Sequence, residues 1–473
     1  MGKSLEYTKQ LLSSIEFWLG LVFVIGLLTL NYPPIDAHTW RQSLTLMISK
    51  NLVDISPNVM YPTYNIGNHP GIIPTEFPLY NFIISLFYRV FGYNDWAGRF
   101  VNWSVTFVGF YYFYKTLLKF NTKRMAFFAT FFLMGSVVLV YARKTMPDTF
   151  ALSLVLIGVY HSWNYLESAK WKDGLWAFLF IGFGLLSKIA FVPAMAFMII
   201  PFFDRSLPQK AKYYFFGLMI LSGAIVGWWY FYWMPHLQET YHNQLIWPVS
   251  LQEGWDIFSQ TLEQHLGRFR DKVYRNHVSF YLFLIGILLA FAKKNWKIVS
   301  VFFLYSAITF VFILKTGDVF HKHEYYVILY VPMMALGVGY FFEQLAFKSI
   351  RKLTFGLSLV IALVLFFFPA RRIYRDWQNV DSSYYLPLES ILDKFVTKED
   401  SVMVNGGNFN PSLMYFTGRH GWSFGNQPLK VVDDMPVYKG RGLKVIVVDR
   451  HQMKDSLPYE LLFGNDDFLI YRP

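Results

Sequence analysis

The sequence predicts an all-α polytopic membrane bundle of about eleven spans, with amphipathic helices on its outer surface and a small α/β domain at its C-terminus. Three observations lead there. Apolar residues make up 54% of the chain and charged residues only 16%, against roughly 25% charge in an ordinary globular domain. Apolar runs recur from residue 15 to residue 369. Beyond Pro369 the composition changes abruptly to short strand-like segments separated by polar turns.

The composition excludes several classes. With 20% aromatic residues the chain is not disordered, and it lacks the polar surface to cover one water-soluble core. Lipid as solvent resolves that imbalance. The 473 residues contain no cysteine, so neither disulfides nor thiolate metal sites exist. The formal charge of +12 does not indicate nucleic acid, because the basic residues lie in short breaks between apolar runs, as in membrane proteins.

The candidate spans are residues 15–31, 97–118, 125–142, 148–166, 173–188, 189–203, 213–234, 278–292, 298–314, 325–342 and 353–369. The fifth and sixth are short and close, which suggests a tight helical hairpin around Lys188. The first is an uncleaved anchor: Glu16 opens it, and Tyr32-Pro33-Pro34 follows in place of a small-residue cleavage site. Placing the N-terminus inside gives every inner break at least two basic residues: Lys3 and Lys9; Lys115, Lys119, Lys123 and Arg124; Lys170 and Lys172; Arg205, Lys210 and Lys212; Lys293, Lys294 and Lys297; Lys348, Arg351 and Lys352. The expected protein is therefore multi-pass, with its site and C-terminal domain on the outer side of the membrane, a side that is periplasmic where that membrane is a bacterial cytoplasmic (inner) one.

Two domains are expected, a transmembrane domain over 1–369 with outer loops 32–96 and 235–277, and a soluble domain over 370–473. Within the first loop, His38 to Leu52 reads as amphipathic, and Pro78 to Phe91 as a surface helix too short to span. In the second, Trp255 to Tyr274 reads as a helix with Arg268, Arg270, Lys272 and Arg275 toward headgroups. In the tail, 401–404, 443–448 and 468–471 read as strands and 411–417 as a helix.

The chemistry-bearing residues gather in the outer breaks. Asp36, His38 and Arg41 lie within six positions after the first span. A carboxylate there can take a proton from an acceptor hydroxyl, an arginine can hold a phosphate oxygen, and Asp36 can also cap the helix that follows. Asp148 stands after Arg143 and Lys144 at the start of the fourth span, where it can cap, pair with those cations or orient a substrate. Glu76 in Thr75-Glu76-Phe77-Pro78 can cap a helix or bind a metal, with His69 nearby in sequence. His321 and His323, two apart before Glu324, are further candidate ligands for zinc, magnesium or manganese, together with His38. Arg143, Lys144, Lys188, Lys315 and Lys322 are outer cations close to the bilayer. Each can snorkel to headgroups, and together they suit a phosphate at the membrane surface.

In their order these features resemble the membrane glycosyltransferases that use polyprenyl-phosphate sugars, the GT-C superfamily that includes protein O-mannosyltransferases and the aminoarabinose lipid A transferase. The matching features are Asp36 at the start of a surface helix, Glu76-Phe77-Pro78 before another, Met146-Pro147-Asp148 after the third span, the glycine-rich Gly182 to Lys188, and Tyr325, Tyr326 and Pro332 at the start of a late span. The commoner Asp-Glu pair at the first site is Asp36-Ala37 here. The resemblance covers roughly residues 10–345. It implies an inverting transfer of a monosaccharide from polyprenyl (undecaprenyl) phosphate to a lipid, polysaccharide or protein hydroxyl. Asp36 and Asp148 would be the catalytic carboxylates, with Asp36 deprotonating the acceptor hydroxyl; Arg41, Arg143 and Lys188 would bind the donor phosphate, and a divalent metal near Glu76 would share the charge. Two alternatives stand beside it: a ligase or polymerase using a diphosphate-linked donor, and a lipid-linked-sugar flippase. The mid-span stretches are almost free of charge, which counts against a polar path across the membrane.

Overall fold

The computed structural model describes the chain apart from residues 1–9, 68–70, 244–247, 346–350, 379, 381, 407–409 and 426–434. Lys3, Lys9, His69 and Lys348 thus lie outside the described residues. The structure is mostly helical, with a small C-terminal sheet. It divides into two compact units. One comprises 1–31, 99–236 and 245–375, the other 32–98, 237–244 and 376–473.

All eleven apolar runs are largely helical, and polar residues punctuate them where local hydrogen bonds compete with the helix. Ser14 caps Ile15–Leu27 through the Phe17 N–H at 3.3 Å. Thr122 caps Lys123–Met134 through Met125, and Asn276 caps His277–Ala292 through Ser279. The run expected over 125–142 is two helices, because Ser136 caps a second one, Val137–Ala142, after Gly135. The run expected over 189–203 opens as a 3₁₀ stretch, Ile189–Met198, with Pro193 inside.

Among the described residues, four helical segments are long and apolar enough to cross a membrane: Gln209–Tyr241, Trp296–Thr316, Glu324–Gln344 and Leu353–Ile373. A fifth results if Leu262–Lys272 and His277–Ala292, bent by 103°, count as one span. The expected count of about eleven is not confirmed. Other runs are short, as Ile15–Leu27 is, or carry polar groups such as Arg99 and Asn102 within Trp96–Leu117.

Within the first unit the Glu324–Gln344 segment is central, its apolar window 83% buried. Its glycines allow backbones to meet: a Cβ on Gly286 would lie 2.0 Å from the Gly337 carbonyl oxygen, and one on Gly339 would lie 2.6 Å from Ala129 Cβ. Small residues take this role in membranes because apolar burial alone does not draw helices together in lipid.

The second unit joins the first outer loop to the tail. Strands β1 (Thr63–Tyr64) and β2 (Gly71–Ile72) form a hairpin-like pair. Strands β3 (Ser401–Val404), β4 (Gly421–Ser423), β5 (Leu443–Asp449), β6 (Glu460–Gly464) and β7 (Phe468–Arg472) make a sheet of order β4-β3-β5-β7-β6. β3 is parallel to β4 and β5, and β7 is antiparallel to β5 and β6. The expected strands and the 411–417 helix are present; β4 and β6 are additions. One sheet face packs Met403, Trp422, Ile446, Val448 and Tyr471. Ile66 bridges to Gly421 in parallel, so the loop extends the sheet edge beyond β4.

Gly286→Ala is expected to destabilise the protein by about 1–3 kcal/mol through overpacking. Gly217→Ala, with nothing within 4 Å of the added carbon, should be neutral or mildly stabilising. Thermal unfolding of the two variants in detergent checks this pair.

Candidate active site

In the first unit, two antiparallel helices bring an acid and a base together. Pro147–Ser168 begins with Pro147 at its first position, and Asp148 lies in its first turn, where the helix dipole favours a carboxylate. The capping position is Met146, so Asp148 is not the cap. Trp171–Ser187 runs back alongside and ends at Lys188, whose backbone is extended. The two helices touch closely at Gly184, where a Cβ would lie 3.0 Å from the Ala151 carbonyl oxygen. Lys188 Nζ then meets Asp148 Oδ1 at 2.8 Å, with both side chains almost fully buried.

The break that frees Lys188 is itself held. The Tyr230 hydroxyl donates to the Leu186 carbonyl at 3.0 Å and accepts from the Ile189 N–H at 3.3 Å. The ammonium also lies over the rings of Tyr325 and Tyr326, at 5.2 and 5.5 Å, where the ring quadrupoles favour it. One charged oxygen is left over. Asp148 Oδ2 is buried and has no hydrogen-bond donor among the described residues. A buried acceptor in that state is costly, and such exceptions mark places where a ligand or water can dock.

The turn before Asp148 is tied down by Asn102. Its amide donates to the carbonyls of Tyr141, Lys144 and Met146 at 3.1, 2.9 and 3.1 Å, and its oxygen accepts from Thr149 Oγ1 at 2.7 Å. Arg99 Nη1 donates to the Arg143 carbonyl at 2.7 Å. Arg143 is buried, and its Nη1 donates to the Thr29 carbonyl at 3.1 Å.

Glu324 is a second focus in this unit. Its Oε1 accepts from Arg275 Nη2 at 3.0 Å and from the Tyr141 hydroxyl at 3.1 Å. Lys272 and Arg372 lie at 3.9 Å from its oxygens. Three cations around one carboxylate leave positive charge to spare, which suits a phosphate. The helical stretch expected over 255–274 is broken at Thr261 and again at a π turn, Arg268–Lys272. Three of its four cations turn inward, Lys272 and Arg275 to Glu324 and Arg268 to the His321 carbonyl, while Arg270 stays half-exposed beside Asp271.

In the second unit, Asp36 is 1% exposed, and its Oδ1 accepts from Gln42 Nε2 at 2.7 Å. It does not cap Thr39–Asp54. That position belongs to His38, whose backbone is left-handed at φ 67°. Arg41 Nη2 donates to Glu76 Oε2 at 2.7 Å, and Thr75 Oγ1 donates to the same oxygen at 2.7 Å. Pro78, not Glu76, precedes the Leu79–Phe91 helix as its cap.

Each unit therefore gathers its own candidates: Asp148 with Lys188 in one, Asp36 beside Arg41 and Glu76 in the other. For a metal the fit is poor. Among the described residues no three His, Asp or Glu side chains converge as a metal-holding group. Glu76 is engaged by Arg41, His323 stacks on Tyr325 at 5.4 Å, and His321 lies beside His265 at 5.7 Å. The groups that sequence reasoning missed are Glu324 as a charge hub, Arg275, Gln42 and Asn102. A polar Asn102 inside a predicted span was the available signal.

Nearly the whole chain superposes on a known architecture. Its fold is the ArnT fold. ArnT from Cupriavidus metallidurans in the apo state matches with a TM-score of 0.63 at 10% identity, covering 97% of this chain and 98% of that one. The same enzyme bound to undecaprenyl phosphate matches at 0.62 and 11% identity, with 95% and 97% covered. The Archaeoglobus fulgidus oligosaccharyltransferase in the apo form matches at 0.57 and 11% identity, covering 92% of this chain and 70% of that one. Residues 68–230 match the family model described as dolichyl-phosphate-mannose-protein mannosyltransferase. No protein among those with curated descriptions matches the sequence. The resemblance to the GT-C glycosyltransferases thus holds in part of the sequence and in the fold, and with it the character of an integral membrane protein.

Removing one partner of a buried ion pair strands the other charge. Lys188→Met is expected to destabilise the protein by about 3–5 kcal/mol. Adding Asp148→Asn should recover much of that loss. A double-mutant cycle read by thermal unfolding in detergent checks the coupling.

Proposed function

We propose that this protein is an inverting glycosyltransferase that moves one monosaccharide from polyprenyl phosphate to a hydroxyl acceptor, at the outer face of a bacterial cytoplasmic membrane. The observation that carries the reading is the buried Lys188–Asp148 pair beside Tyr325 and Tyr326, with one carboxylate oxygen that has no donor among the described residues. In a chain with the ArnT fold, such a pair offers a cation to a lipid phosphate and an acceptor to a substrate hydroxyl. The ligand named for the related structure, undecaprenyl phosphate, is a donor carrier of the required kind.

The reaction follows from ordinary group chemistry. The Asp36 carboxylate takes the acceptor's hydroxyl proton, and the acceptor oxygen bonds to the anomeric carbon from the face opposite the phosphate. The bond between that carbon and the phosphate oxygen breaks, and polyprenyl phosphate leaves with the electron pair. A phosphate leaves without needing a proton, so no general acid is required. Arg41, Arg143 and Lys188 answer the charge that grows on it. Gln42 supports this use of Asp36 by holding one carboxylate oxygen and so setting the direction of the other. Asp148 orients Lys188 and takes a hydroxyl of the donor sugar or the acceptor. The inward-turned cations Lys272, Arg275 and Arg372 around Glu324 add a positive wall to the donor's path.

The test uses purified protein in nanodiscs, with undecaprenyl-linked monosaccharides as monophosphate and as diphosphate, and with mass spectrometry of the product and of co-purifying lipid. Turnover of the monophosphate donor is expected. Turnover of the diphosphate alone would move the protein to the ligase class. Asp36→Asn should lower turnover by about 10²–10⁴-fold, the usual share of a general base, while donor lipid still binds. Near-normal turnover by that variant would remove Asp36 from the chemistry.

A further inference from the structure

The first unit has a second cationic recess, at the other end of the central helical segment. A cavity of about 290 Å³ is lined by Ser13, Thr122, Lys123, Arg124, Phe127 and Phe355. Arg124 ties it to the C-terminal end of the Glu324–Gln344 segment, because its Nε donates to the Phe342 carbonyl at 3.0 Å. That segment is 21 residues long, about 30 Å at a helical rise, which is the thickness of a bilayer's hydrocarbon core. The cavity and the Glu324 cluster therefore belong to opposite leaflets.

We propose that this cavity binds the phosphate of an anionic phospholipid, in the leaflet opposite the candidate active site. Its lining is graded like such a lipid. At the polar end are the hydroxyls of Ser13 and Thr122 and the cations of Lys123 and Arg124. Arg124 is a built element: it is buried, with Nη2 donating to Ser358 Oγ at 2.9 Å and to the Thr354 carbonyl at 3.3 Å, and its guanidinium lies over Phe128 and Phe355 at 5.6 and 5.8 Å. Lys123 is exposed, and among the described residues no carboxylate pairs with it. Glu343 stands at the rim, where it accepts the Thr122 hydroxyl at 2.7 Å.

At the apolar end are Phe127 and Phe355, with ring centroids 5.5 Å apart. Phe355 is half-buried and lies on the inward face of the Leu353–Ile373 span, the face that also buries Leu359 and Ala362. A free anion has no use for those two rings, whereas the acyl end of a lipid packs on them. Basic pockets between membrane helices hold acidic lipid headgroups by this combination. The proposal stands apart from the sugar-transfer reading and needs none of its residues.

Native mass spectrometry of the full chain in detergent, titrated with phosphatidylglycerol, phosphatidylcholine or inorganic phosphate, tests it. Phosphatidylglycerol is expected to bind in preference to phosphatidylcholine. Lys123→Ala should weaken that binding about fivefold, one basic residue's share of headgroup attraction. Ser13→Phe, which fills the cavity, should abolish it with the fold intact by thermal unfolding. Equal binding of the two lipids would overturn the proposal, as would unchanged phosphatidylglycerol binding by Lys123→Ala. Displacement of the lipid by inorganic phosphate at equal concentration would reassign the recess to a free anion.

Discussion

A charge taken out of water into an apolar bundle must find a partner, and the layout of this protein follows from that requirement. Lys188 and Asp148 satisfy each other across two antiparallel helices. Glu324 draws in Arg275, Lys272, Arg372 and the Tyr141 hydroxyl. Arg124 is anchored by two carbonyls and a serine. In each case the polar group sits near an end or a break of a helix, where carbonyls and N–H groups are free to answer it. Charge collects at the two ends of the first unit and leaves the middle of the helices apolar. Such an arrangement places the costly groups where helix ends can answer them.

The second unit shows how a long loop can be tied to a distant domain. The helix Thr39–Asp54 is tied to the C-terminal tail within this unit. Asn51 donates to Asn65, and Asn65 donates to the Arg419 carbonyl in the tail. Ile66 and Gly67 then join the edge of the C-terminal sheet at Gly421. Only glycine fits there, since a Cβ would lie 1.6 Å from the Val402 carbonyl oxygen. The tail, which carries no substrate motif of its own, thus acts as a foundation for the segment bearing Asp36, Arg41 and Glu76. Precise placement of such groups governs how well they can act.

Much of the helical content was legible in the sequence because lipid-facing and core-facing residues are both apolar, and a run of them names a helix whichever it faces. For the same reason the number of crossings was not legible. Burial inside protein and burial in lipid leave the same mark on composition, and the short Ser136-capped helix looked continuous with its neighbour. The capping expectations failed at Asp36 and Asp148 because Asp is favoured at helix starts in general, while His38 in a left-handed turn and Met146 occupy those positions here. Glu76 was equally ambiguous, and Arg41 resolved it as an ion pair.

The sequence by itself determined the solvent the protein lives in, the helical segments, the strands of the tail, and the small set of acids and bases worth watching. Those properties depend on local composition and on spacing along the chain. Which acid meets which base was decided by tertiary structure alone: Lys188 lies forty residues from Asp148, and Glu324 forty-nine from Arg275. Coulomb attraction has no periodicity that a linear reading can detect. Only the packing of backbones at glycines such as Gly184 and Gly286 brings those groups within range.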